Sequence, residues 1–198
     1  MPPTRIHLIR HGQGHHQLPP TEKNQYLPDP VLTDEGISAC QAFRKNHPAS
    51  VLNPDLICAS PLTRTIQTAK YCFSDRFESG KEQILLIPYA QEATDLPSDT
   101  GSDRKVLEGE FGALIDCGLL VGEESEEDGW RSSKGIYAPS HEALRARAKA
   151  LRGWLAGREE KEVVVVGHGQ FWHWLTGEVD AEGKQTSEFL SVCDLLID

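Results

Sequence analysis

Four short stretches of this chain carry side chains that together could handle a phosphoryl group. Arg10 and His11 close the β-prone run Arg5 to Ile9 and are followed by Gly12, while Ser60 follows Leu56-Ile57-Cys58-Ala59 with Arg64 four residues further on. Glu92 comes after the run Ile84 to Ile87 and Pro88, and His168 stands between Gly167 and Gly169 after Val163 to Val166. Arginine offers forked N–H donors matched to phosphate oxygens, and an imidazole can donate, accept or attack. A nearby carboxyl group could give a proton to a leaving oxygen. Glycine beside each histidine would let the backbone approach a ligand closely.

Those stretches need elements to hold them, and the chain alternates strand-like with helix-like patterns. Thr33 has the chemistry to cap a helix whose first turn carries Asp34 and Glu35 and whose apolar face is Ile37, Cys40, Ala42 and Phe43, ending near Asn46. Ser60-Pro61 opens the next helix, with proline in its first turn. A short helix is expected around Arg104 to Phe111, a longer one from His141 to Leu155 through Leu144, Ala148 and Leu151, and another from Phe171 to Leu175. Val163 to Val166, apolar throughout, reads as a central parallel strand, Phe189 to Leu196 as a last strand, and Glu123 to Asp128 as a solvated loop. The alternation predicts an α/β fold, a three-layer α/β/α sandwich with a mainly parallel central sheet, formed by one domain over residues 1–198. In open sheets of this kind the ligand site lies outside the carboxyl ends of the strands, which is where all four stretches fall.

The formal net charge of −10 narrows the partners. Such a surface repels nucleic acid and anionic lipid, so neither is expected as a partner, and an anionic ligand must be held by a local group of cations. A small phosphorylated metabolite fits that description. No run approaches the roughly 18 consecutive apolar residues of a membrane helix, and the N-terminus has no apolar segment of signal-peptide length. The five cysteines, Cys40, Cys58, Cys72, Cys117 and Cys193, are odd in number and scattered, and read as reduced packing residues. A cytoplasmic protein is expected, with the nucleus and assembly into identical copies left open.

LIRHGQGHHQ (Leu8 to Gln17), LTDEG (Leu32 to Gly36), ASPLTRTIQTA (Ala59 to Ala69) and VVGHGQF (Val165 to Phe171) resemble, in order and spacing, the motifs of the histidine phosphatase (phosphoglycerate mutase-like) superfamily. Within it, RHGQGHH together with QEATDLPSDTGSDR is similar to a fungal and plant branch of phosphoglycerate mutase-like phosphatases. The resemblance implies a phosphatase that needs neither metal nor cofactor. It makes His11 the nucleophile that is transiently phosphorylated, Arg10, Arg64 and His168 the holders of the phosphoryl oxygens, and Glu92 the proton donor. Gln17 stands where the family usually has asparagine, and its extra methylene could displace a phosphate contact.

Several residues carry two readings. Asp95, three residues after Glu92, could be the acid instead. Asp99-Thr100-Gly101-Ser102 could be a turn and helix cap or a lip of the pocket; the turn is favoured for Asp99 and Gly101, while Ser102 joins Gly169 as a candidate substrate contact. His11, His15 and His16 suggest a metal site only weakly, since no carboxylate or cysteine is spaced to complete the shell. His7, His47, His141 and His173 read as ordinary histidines, and Trp172 and Trp174 as packing residues. A phosphatase is the leading reading. A phosphoglycerate mutase, which returns the phosphoryl group to a second hydroxyl, and a non-catalytic phosphoester-binding module are the alternatives.

Overall fold

Val163 to Val166 are apolar at every position because their strand is covered on both faces. The computed structural model describes residues 3, 5–21, 24, 26–47, 49–120 and 129–177. It contains a five-stranded sheet of β1 (Arg5–Arg10), β2 (Leu56–Ala59), β3 (Ile84–Leu86), β4 (Ile115–Asp116) and β5 (Glu162–Gly167), in the order β1-β5-β2-β3-β4. Every pairing is parallel. Successive valines of β5 point to opposite faces: Val164 and Val166 pack with Ile9, Ile57 and Ala59, and Val163 and Val165 with Leu8 and Cys58.

Helices α1 (Asp34–Asn46), α3 (Thr63–Cys72) and α5 (Arg104–Phe111) cover the first face, through Cys40 and Phe43, Ile66, Ala69 and Cys72, and Leu107 and Phe111. Helices α6 (His141–Ala156) and α7 (Gly169–Thr176) cover the second. This is the three-layer α/β/α sandwich that the alternation implies. On α6 the buried Leu144, Ala148, Leu151 and Leu155 recur at helical spacing, and each leucine contributes roughly 2 kcal/mol by leaving water. Ser140 caps α6 by accepting from the Ala143 N–H, and Thr33 caps α1 by accepting from the Gly36 N–H. Short helices α2 (Ala49–Leu52) and α4 (Ser74–Phe77), like β4, carry too few residues to show a period.

Three expectations are corrected. Pro61 lies before α3 rather than in its first turn, because the helix end is capped from a distance: Asp29 accepts from the N–H and the hydroxyl of Thr63, at 2.8 and 2.7 Å. Ala42 is exposed, so the buried face of α1 is Cys40 and Phe43, with Ile37 partly covered. β3 stops at Leu86; Ile87 donates to the Ala59 carbonyl and leads into a 3-10 turn at Pro88–Ala90. The strand expected at Phe189 to Leu196, the acidic loop Glu123 to Asp128 and Cys193 lie outside the described residues. Cys40, Cys58, Cys72 and Cys117 are buried free thiols, and among the described residues no helix is long and apolar enough to cross a membrane.

Candidate active site

The carboxyl ends of β1, β5 and β2 are knitted together by the main chain. His11 N–H donates to the Gly167 carbonyl and Ser60 N–H to the Val166 carbonyl, each at 2.9 Å. His11, His168 and Ser60 therefore lie side by side where the sheet ends. From α3, Thr68 accepts from the Gly12 N–H at 3.0 Å and fixes the turn after His11.

Hydrogen-bond partners settle the proton on each ring. The Gly12 carbonyl can only accept, so His11 Nδ1, 2.7 Å away, donates to it. Arg64 Nε can only donate, so His11 Nε2, at 3.2 Å, presents a lone pair. His168 has the opposite tautomer: its Nδ1 accepts from Arg64 Nη2 at 3.1 Å, and its Nε2 donates to the Ser60 hydroxyl at 3.0 Å. Burial first, and then the Arg64 charge, hold both imidazoles well below the usual histidine range. Both rings are neutral, and each turns a lone pair towards Arg64, His11 from Nε2 and His168 from Nδ1.

Arg64 is 1% exposed and almost fully engaged. Besides the two histidines, it donates to the Ser98 carbonyl at 2.5 Å and to Asp99 Oδ1 at 2.8 Å. A guanidinium has five N–H groups, so an incoming oxyanion finds one free until Asp99 or His168 yields its own. Asp99 is also bonded by the Thr94 hydroxyl. Glu92 lies on the other side of His168, with Oε2 4.0 Å from His168 Nδ1 and Oε1 accepting from the N–H groups of Ala93 and Phe171. Burial, and next the Asp99 charge, push its carboxyl up to about 7. A carboxyl group tuned there can give a proton and take one back at neutral pH.

Of the residues singled out in the sequence, His11, His168, Arg64, Ser60 and Glu92 meet in this cluster. Arg10 sits at its edge, half-buried beside His11; a side chain on Gly169 would come within 3.2 Å of Arg10 Cδ, so Gly169 gives Arg10 room. Gln17 is exposed, and its amide oxygen accepts from the Gly14 N–H at 2.9 Å. Ser102 donates its N–H to Asp29 at 2.9 Å, which ties the 99–103 segment to the start of α3. Asp95 is exposed.

Asp99, read as a turn residue, instead holds Arg64, with a side chain only 6% exposed. Arg147 escaped the sequence reading altogether. It is buried, donates to the carbonyls of Gln91 and Glu92 and lies over the Phe171 ring, so it fixes the peptide that carries Glu92. Its signal was an arginine on the apolar face of α6, one residue before Ala148. Among the described residues no group of three or more His, Cys, Asp or Glu side chains is arranged to hold a metal ion.

The family model of the histidine phosphatase superfamily (branch 1) matches residues 6–78, from β1 through α4, and so includes Arg10, His11 and Arg64. A Schizosaccharomyces pombe protein named "Probable phosphatase" is 28% identical over 164 residues, covering 83% of this chain and 73% of its own. An Arabidopsis thaliana phosphoglycerate mutase-like protein is 28% identical over 228 residues, covering 96% and 82%. Residues 6–78 thus match the histidine phosphatase superfamily, and the chain is similar along most of its length to these two relatives. Two crystal structures share the fold of this chain. The ecdysone phosphate phosphatase of Bombix mori, in complex with tungstate, superposes with a TM-score of 0.57 at 14% identity over 97% of this chain and 84% of that one. The alpha-ribazole phosphatase of Shigella flexneri gives 0.53 at 19% identity over 87% and 78%.

The Asp99 charge beside Glu92 gives the site a testable pH dependence. Removing the Asp99 charge lowers the Glu92 pKa, because that charge is the second cause of its elevation. With Glu92 as the acid, its protonated form is then lost at lower pH. Asp99→Asn is expected to move the alkaline limb of the kcat profile on an alkyl phosphate downward in pH and to tighten inhibition by inorganic phosphate. An alkaline limb that stays in place or rises would show that Asp99 does not tune the acid.

Proposed function

We propose that this protein is a metal-independent phosphomonoesterase that passes the phosphoryl group of a small phosphorylated metabolite through His11. One observation carries the reading: a neutral His11 whose Nδ1–H is tied to the Gly12 carbonyl and whose Nε2 lone pair faces the Arg64 guanidinium. Nε2 attacks phosphorus and the bond to the ester oxygen breaks. Arg10 and Arg64 donate to the phosphoryl oxygens, over which charge is spread in the transition state. The Gly12 carbonyl stabilises the positive charge that develops on the ring. Glu92 protonates the leaving alkoxide; its carboxylate then takes a proton from water, whose oxygen attacks phosphorus and breaks the P–N bond.

Hydrolysis rather than mutase chemistry is favoured by the charge around the cluster. A mutase must shelter its phosphohistidine from water and hold a second anionic group of the substrate. Here Asp99 already occupies part of Arg64, and Arg147 is buried behind Glu92. A panel of phosphate esters assayed with EDTA present is expected to release inorganic phosphate at an undiminished rate and to leave an acid-labile phosphoenzyme on quenching. With 3-phosphoglycerate, with or without 2,3-bisphosphoglycerate, phosphate release should outpace formation of 2-phosphoglycerate. Faster isomer formation would make the protein a mutase. Loss of activity in EDTA that zinc or magnesium restores would replace the phosphohistidine route by a metal-assisted one. Failure on every ester would leave a binding module.

A further inference from the structure

Gly14 has a backbone that any residue could adopt, with φ −98° and ψ 160°. What forbids a side chain there is His16. A carbon added to Gly14 would lie 2.8 Å from both Cε1 and Nδ1 of the His16 ring, closer than side-chain carbons approach non-bonded atoms. The glycine lets this ring lie flat against the loop. So placed, His16 is half-buried, with its centroid 5.7 Å from that of His11 and the two planes inclined at 47°.

The ring is oriented as well as placed. Its Nδ1 is buried against Gly14 and has no hydrogen-bond partner among the described residues. Protonating that nitrogen would bury an N–H without an acceptor, which costs more than burying a bare lone pair. The proton therefore sits on Nε2, at the opposite edge. Meanwhile Gln17, which stands where the family's asparagine usually stands, has its amide oxygen engaged by the Gly14 N–H.

We propose that His16 is a further ligand of the phosphoryl group, donating from Nε2 to a phosphoryl oxygen. The inference rests on the reading of this site as a phosphoester site. The charges around the ring are consistent with it: burial, then the guanidinium charges of Arg64 and Arg10, bring His16 down to about 4. The ring is thus a neutral donor in the empty site. A dianion held by the same two arginines offsets their charge and strengthens any bond from Nε2.

The test reads phosphate binding and turnover separately. Binding of inorganic phosphate is measured by calorimetry, and hydrolysis of p-nitrophenyl phosphate by steady-state kinetics, for wild type, His16→Ala, His16→Asn and Gly14→Ala. Thermal melts of the same proteins monitor folding. His16→Ala is expected to weaken phosphate binding and kcat/KM each by about tenfold, the size of one hydrogen bond to a charged group. His16→Asn, which restores an N–H donor, should recover much of both. Gly14→Ala removes no polar group yet should reproduce the His16→Ala loss, because its methyl group displaces the ring. Phosphate binding by His16→Ala within about twofold of wild type, in a protein that melts normally, would overturn the proposal. So would His16→Asn behaving like His16→Ala. A wild-type protein that binds phosphate but hydrolyses no ester removes the phosphatase reading, while the binding comparison still decides the role of His16.

Discussion

His11→Ala is expected to lower kcat by at least about a thousandfold and to leave no phosphoenzyme, since removing a covalent nucleophile stops both half-reactions. The lone pair on Nε2 is replaced by nothing nearby that is able to take its part. His168 presents its own lone pair, on Nδ1, to Arg64 and commits Nε2 to Ser60. The variant leaves Arg64 Nε and the Gly12 carbonyl without their present partner, so a lowered melting temperature is also expected. His11→Gln, which can refill part of the site, separates that cost from the chemistry. Turnover within about tenfold of wild type in either variant would place the nucleophile elsewhere.

Glu92→Gln is expected to slow alkyl phosphate hydrolysis by about a hundredfold to ten-thousandfold and to slow aryl phosphates far less. A phenolate leaves without help; an alkoxide needs the proton. The glutamine oxygen can still accept from the Ala93 and Phe171 N–H groups that hold Glu92, so the substitution removes the titrating group and keeps the geometry. Asp95 is exposed and serves as the control. Equal losses on both ester classes would assign Glu92 to binding or folding, and leaving-group dependence in Asp95→Asn instead would move the acid to that residue.

The catalytic cluster was legible in the chain where chemistry coincided with the end of an apolar run. His11 and His168 follow β1 and β5, and the fold brings such positions together at one edge of the sheet. The long helices were legible because their buried faces repeat, as at Leu144, Ala148, Leu151 and Leu155. Contacts made from loops were not. Asp29 is tied to Thr63 and Ser102, and Asp99 to Arg64, by bonds that span tens of residues and follow no period. Their sequence neighbourhoods read equally well as plain turns. Gln17 was ambiguous for a related reason: residue type and spacing suit a phosphate contact, while its amide oxygen takes the local Gly14 N–H. Arg147 was hidden by its class, since an arginine on a helix is usually at the surface.

The place of β5 in the sheet also sets an order of events during synthesis. Among the described residues β1 pairs with β5 alone, and β2 meets the β1 side of the sheet only through β5. Yet residues 162–167 are translated after all the other strands described. Until they leave the ribosome, β1 and β2 each expose an unpaired ladder of N–H and C=O groups, the kind of edge that recruits foreign strands. A nascent chain of this protein therefore needs shielding through most of its translation. Any product that terminates before residue 162 carries His11 on a strand without its partner in the sheet, so premature termination is expected to yield aggregates rather than a weakened enzyme.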